Sequence, residues 1–97
     1  MSFEFLLPAQ IELAEAVAHY NRERRDLGYE FAAEAYRTIR LIERYPLAWT
    51  KISKRTRLCR TKRFPYGIIY QPRPEGILIV AVMHLHRRPG YWKARLK

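Results

Sequence analysis

The run Ile77-Leu78-Ile79-Val80-Ala81-Val82-Met83 limits what this chain can fold into more than any other feature. Seven apolar residues in a row offer no wet face at either the helical or the strand period. The run is far short of the roughly 20 residues that a membrane helix needs, so no membrane span is expected. Four of the seven are β-branched. The run therefore reads as a central strand buried on both faces, and the rest of the chain must supply its neighbours and its two covering layers.

Upstream of Pro46 the pattern has the helical period. Phe3 to Leu7 reads as a short strand bounded by Pro8, whose missing N–H costs nothing in the first turn of a helix. From Pro8 to about Arg25, Leu13, Ala16, Val17 and Tyr20 fall on one helical face. Glu12 and Glu15 come early and Arg22, Arg24 and Arg25 late, which complements the helix dipole. Gly28 is expected to stop or break this helix. A second helix to about Tyr45 puts Phe31, Ala35, Ile39 and Ile42 on one side, and Pro46 ends it. The short link around Asp26–Gly28 makes the two an antiparallel hairpin. Tyr20, Phe31 and Tyr36 are expected in the core.

From Thr50 the period changes. Arg55 to Phe64 alternates without a clearly apolar face, as an exposed or edge strand would. Tyr66–Tyr70 reads as the next strand, Pro72–Gly76 as a turn, then comes the apolar run. The order β-α-α-β-β-β implies an α+β fold: an N-terminal strand, an antiparallel helix hairpin, then a three-stranded antiparallel meander, in one domain over residues 1–97.

Charge divides the chain at the same place. Residues 1–45 carry six Lys and Arg against eight Asp and Glu; residues 46–97 carry thirteen against the single Glu75. A half that basic calls for a polyanion or an acidic partner. No signal peptide is visible after Met1. One cysteine, Cys59, excludes an internal disulfide framework and fits a reducing, cytoplasmic setting. It reads as a packing residue, although its basic neighbours could lower its pKa.

The basic half holds the candidate chemistry. His84 and His86, two apart, would face one way if the strand continues through them. Imidazole carries protons near neutrality, and arginine stabilises a developing phosphorane charge. Arg87 is the candidate anion clamp with Arg60, and Tyr91 a proton donor or base-stacking ring. Together these would form a metal-free RNA-cleaving set, the plainer alternative being one histidine packed in the core and the others solvated. Arg55, Arg57, Lys62, Arg63 and Arg88 are candidate nucleic-acid contacts, with edge protection as the plainer role for the basic strand. Tyr66, Tyr70, Tyr91 and Trp92 interleave with this charge and would serve as stacking rings or as core. His19, on the pattern of the first helix, reads as a structural or surface residue. Two histidines and a distant cysteine make no zinc site, and neither a metal nor another cofactor is expected.

The element order, Arg63-Phe64-Pro65-Tyr66-Gly67-Ile68-Ile69-Tyr70 and the ending His84-Leu85-His86-Arg87-Arg88-Pro89-Gly90-Tyr91-Trp92 together resemble the RelE/ParE superfamily of toxins from bacterial type II toxin–antitoxin systems. The motifs are those of the ParE-like branch. The resemblance implies a cognate antitoxin partner and one of two targets. RelE-like members cut mRNA on the ribosome without a metal, and ParE-like members poison DNA gyrase. Arg60 and Arg87 fall on the nucleases' basic positions, Tyr91 near their C-terminal tyrosine but about two places out of step. Gly67 stands where those nucleases carry a central arginine. The basic half with its His, Arg and Tyr tips the reading slightly toward RNA cleavage, with gyrase inhibition, or a binding relic without activity, as the alternatives.

Overall fold

The computed structural model describes residues 2–96. Strand β1 (Phe3–Phe5) leads into helix α1 (Leu7–Glu23), then α2 (Leu27–Arg44) and strands β2 (Thr50–Lys51), β3 (Arg57–Arg60), β4 (Tyr66–Arg73) and β5 (Gly76–His84). A 3₁₀ turn, Lys93–Leu96, follows. The strands form one sheet in the order β1-β5-β4-β3-β2. β1 runs parallel to β5, and every other pair is antiparallel. The α+β architecture is as the periodicities imply. No described helix is long and apolar enough to cross a membrane.

The apolar run lies inside the sheet, where β5 is flanked by β1 and β4. The middle place, however, belongs to β4. Ile79, Val80 and Ala81 are fully buried and Val82 nearly so. The helix hairpin covers one face, where Leu13, Ala16, Phe31, Ala35, Ile39 and Ile42 pack on Ile68, Tyr70, Ile77, Ile79 and Val82. Each large aliphatic group buried there stabilises the fold by roughly 1.5–3 kcal/mol. The other face holds Ile69, Leu78, Val80 and Ala81, covered by Trp92 with Tyr91 and Leu96. Val80 and Ala81 share that side because of a bulge: Ile69 pairs with Ala81, Tyr70 with Ile79, and Val80 is the extra residue.

Several expectations are corrected. Gly28 does not end a helix; α1 stops at Glu23, and Gly28 lies inside α2. A Cβ on it would sit 2.1 Å from the carbonyl oxygen of Val17, so the missing side chain is what lets the helices touch. Asp26 makes the turn instead, with φ 65°, in the left-handed region that aspartate tolerates. Tyr36 is 40% exposed, against Phe3 and Phe5 at the sheet edge rather than in the core. The long strand read over Arg55–Phe64 shrinks to Arg57–Arg60, and it is not the edge: two residues of β2 pair beyond it. Burial explains the misreading, because Cys59, Thr61 and Phe64 point into the protein among charged neighbours. The Pro72–Gly76 turn tightens to Pro74-Glu75, since Pro72 and Arg73 still pair with Ile77 and Gly76.

Candidate functional site

The end of β5 positions the two histidines. Tyr66 and His84 are paired across β4 and β5, and their rings meet edge-on at 5.1 Å. The strand stops at His84, so the histidines are not aligned by the pleat. A turn brings them together instead: the His86 N–H donates to His84 Nδ1 at 3.1 Å, and the rings lie 5.2 Å apart. His84 Nε2 is left for any ligand. The Arg87 N–H closes the same turn on the His84 carbonyl at 3.0 Å.

Helix α1 supplies the opposite wall. Glu12, Glu15, His19 and Tyr66 join His84 and Arg87 around a hollow of about 130 Å³. That volume holds a few waters and is well below the roughly 300 Å³ at which small-molecule sites begin. A nucleotide would have to lie across its mouth. Of the structural and surface roles open to it, His19 takes the surface one and pairs with Glu23 at 2.6 Å. Glu12 and Glu15 carry no motif that marks them as neighbours of His84; only the stacking of α1 on β5 brings them there.

Glu12 organises more than this hollow. Its carboxylate accepts the Val82 N–H at 3.0 Å, the Tyr91 hydroxyl at 2.6 Å and both terminal nitrogens of Arg95, at 2.8 and 2.9 Å. Burial pushes the Glu12 pKa up, but these donors outweigh it and the net shift is downward. The dipole role read for Glu12 therefore gives way to a tie between α1, β5 and the C-terminal segment. Tyr91 is the counterpart. Burial and the Glu12 carboxylate both push its pKa up, so it is a poor proton donor near neutrality. The Arg87 guanidinium lies over the Tyr91 ring at 4.1 Å.

Arg60 stands apart. It pairs with Gly67, which pairs with Met83, so these three share the face covered by Trp92. His84 pairs with Tyr66, which packs with the helix-side core. The strand register thus puts Arg60 and His84 on opposite faces of the sheet. A Cβ on Gly67 would meet Leu58 Cδ1 at 2.5 Å and Leu85 Cδ2 at 3.4 Å, so leucines occupy the space that an arginine there would enter.

The remaining basic candidates divide. Arg57 donates to the Leu47 and Trp49 carbonyls, at 3.2 and 2.8 Å, and so fastens the link after α2 to β3. Arg63 donates to Glu30 at 3.1 Å and lies over the Phe64 ring, while its N–H reaches Glu34 at 2.8 Å. Arg55, Lys62 and Arg88 are exposed. Among the interleaved aromatics, Tyr70 is fully buried and donates to the Pro46 carbonyl at 2.7 Å, and Trp92 is core. Burial pushes the Cys59 thiol up to about 11, against the lowering that its basic neighbours could have caused. Among the described residues no group of three or more His, Cys, Asp or Glu could hold a metal ion.

The fold has a solved relative. A chain from the chromosomal ParDE TA system of P. aeruginosa superposes with a TM-score of 0.76, covering 87% of this chain and 95% of that one at 12% identity. At that identity the likeness is one of fold. No protein-family model and no curated protein matches the sequence.

Proposed function

We propose that this chain is the toxin of a type II toxin–antitoxin pair, held inactive by a cognate antitoxin, and that it acts by binding a protein target rather than by cutting RNA. The superposition with a ParDE chain over 87% of the length supports the first part, together with the quoted motifs. The observation that carries the second part is the register placing Arg60 and His84 on opposite sheet faces. A metal-free nuclease needs its base, acid and anion clamp around one phosphate. Here the Tyr91 hydroxyl is already committed to Glu12, and leucines fill the space beside Gly67. DNA gyrase is the target that the ParE-like resemblance implies.

RNA cleavage is the second reading. Its support is the adjacency of His84, His86 and Arg87, with His84 and Arg87 lining the hollow and His86 and Arg87 exposed. Two assays on one preparation separate the readings. Gyrase supercoiling should be blocked while ribosome-bound mRNA stays intact. Cut mRNA with unaffected supercoiling would overturn the binding reading, and no effect in either assay would leave a protein-binding relic. Arg60, His84, His86 and Arg87, each changed to Ala, should leave growth arrest in place. Losing one preorganised charge donor from a nuclease would instead cost about 10²–10³ in rate.

A further inference from the structure

A second hollow, about 570 Å³, opens where the link between α2 and β2 meets the β4–β5 turn. Lys51, Lys54, Arg55, Arg57 and Arg73 bring five cations to its wall, against the single carboxylate of Glu75. Two of the five are engaged: Arg57 with the Leu47 and Trp49 carbonyls, Arg73 with the Gln71 side-chain oxygen. Among the described residues, Lys51, Lys54 and Arg55 have no carboxylate within ion-pair distance. Like charges gathered around a concavity repel one another and focus a positive potential into it, which an anionic ligand would relieve.

The lining distinguishes between anions. No aromatic side chain lines this hollow. Single-stranded nucleic acid gains about 1–3 kcal/mol per base from stacking on such rings, and that contribution is missing here. Leu47, 68% exposed, and the rings of Pro72 and Pro74 offer apolar ground for aliphatic side chains instead. We propose that this hollow docks an acidic peptide segment of a partner protein, its carboxylates on Lys51, Lys54 and Arg55 and its aliphatic side chains on Leu47, Pro72 and Pro74. The inference rests on the toxin reading only for the partner's identity.

Position gives the site its consequence. Tyr66 pairs with His84 at one end of the β4–β5 hairpin and Arg73 with Gly76 at the other. At about 3.3 Å per residue the two ends are some 23 Å apart. A peptide held in this hollow leaves the His84 end open, so partner affinity and the covering of that end are separable.

The test uses the full chain and a fluorescent 12-residue peptide of alternating Glu and Leu, with an oligouridylate of equal net charge beside it, at constant salt. The peptide should bind saturably. The double variant Lys54→Glu, Arg55→Glu should weaken it on the order of tenfold or more, since it reverses two charges that face the ligand. Arg37→Glu, Arg40→Glu removes equal charge from the exposed side of α2 and should change binding less than about twofold. The milder Lys54→Gln, Arg55→Gln guards against misfolding and should give an intermediate loss, with an unchanged thermal melt. If both reversals weakened binding equally, the peptide would be answering only the net charge and the site would be refuted. Tighter binding of the oligouridylate, lost in the same hollow variant, would make it a nucleic-acid groove and overturn the proposal. Neither readout depends on toxicity, so failure here leaves the toxin reading untouched.

Discussion

The carboxylate of Glu12 and the guanidinium of Arg95 meet in a two-pronged pair at 2.8 and 2.9 Å across 83 residues of sequence. The side chains keep only 12% and 17% of their accessible surface. Arg95 also donates to the Val80 carbonyl at 3.0 Å, so one arginine clips the C-terminal segment to both α1 and β5. Removing one partner of a buried pair strands the other, at a cost of about 3–5 kcal/mol when burial is complete. With this residual exposure, Arg95→Met should lose about 2–3 kcal/mol, read as a lower urea midpoint.

The same carboxylate sets an acid limit. The folded-state pKa of Glu12 lies below its ordinary value of 4.5. A group depressed on folding contributes stability that is complete above its unfolded pKa and is lost as pH falls through the folded one. The wild type should therefore lose stability below about pH 4.5, and Glu12→Gln should lack that part of the decline. Urea midpoints of the two proteins between pH 7 and 3 check this, and parallel curves would contradict it.

How far the sequence announced this structure varied by element. The second helix was legible because Phe31, Ala35, Ile39 and Ile42 hold the 3.6 period and all four are fully buried. The apolar run was legible because seven such residues have no wet alternative. Tyr91 was misleading, since a tyrosine in a basic, aromatic string looks like part of a ligand site when it is read alone, whereas its hydroxyl is bound to Glu12. Only the fold reveals that Trp92 packs on the outer sheet face and that a buried carboxylate meets Arg95. The opposition of Arg60 and His84 was likewise hidden, because it depends on cross-strand register, which no single-strand pattern encodes.

Cys59 offers a test of burial over charge. Five cations lie within four residues of it in the chain, Arg55, Arg57, Arg60, Lys62 and Arg63, yet its thiol is pushed up to about 11 by burial. The thiolate is the reactive species, so labelling by a disulfide reagent at pH 8 should be at least tenfold slower than for an exposed cysteine peptide of pKa about 8.5. Urea above the unfolding midpoint should restore the peptide's rate. Fast labelling of the folded protein would mean that the basic neighbours dominate.

Gly28→Ala should destabilise, although alanine is the better helix former by about 1 kcal/mol. The added Cβ would lie 2.1 Å from a backbone oxygen of α1, which cannot swing aside as a side-chain end could. The helices must part, loosening the Tyr20–Phe31 ring contact at 5.5 Å and the Gly28 N–H bond to Asn21 at 2.7 Å. A net loss of about 1–3 kcal/mol is expected, as for other overpacked contacts. At this chain length that lowers the melting temperature by about 4–8 °C per kcal/mol. An unchanged or raised melting temperature would show that the hairpin is more compliant than its packing implies.

Deleting residues 91–97 should damage the fold more than any single change above. Trp92 is 4% exposed and lies on Leu78, Val80, Ala81 and Ile69, with Tyr91 and Leu96 beside it. The helix hairpin lies on the opposite face and cannot cover these four. Truncating a buried tryptophan alone costs about 3–5 kcal/mol, and small domains have only about 5–15 to lose. The deletion also strands the Glu12 carboxylate and exposes an apolar sheet face that invites association between chains. The truncated protein should bind a hydrophobic dye and sediment as aggregates. Trp92→Phe, which keeps a ring on the sheet, should stay monomeric with a lowered melting temperature. A truncated chain that remained monomeric with an unchanged melt would show that this segment is an appendage rather than the second layer of the core.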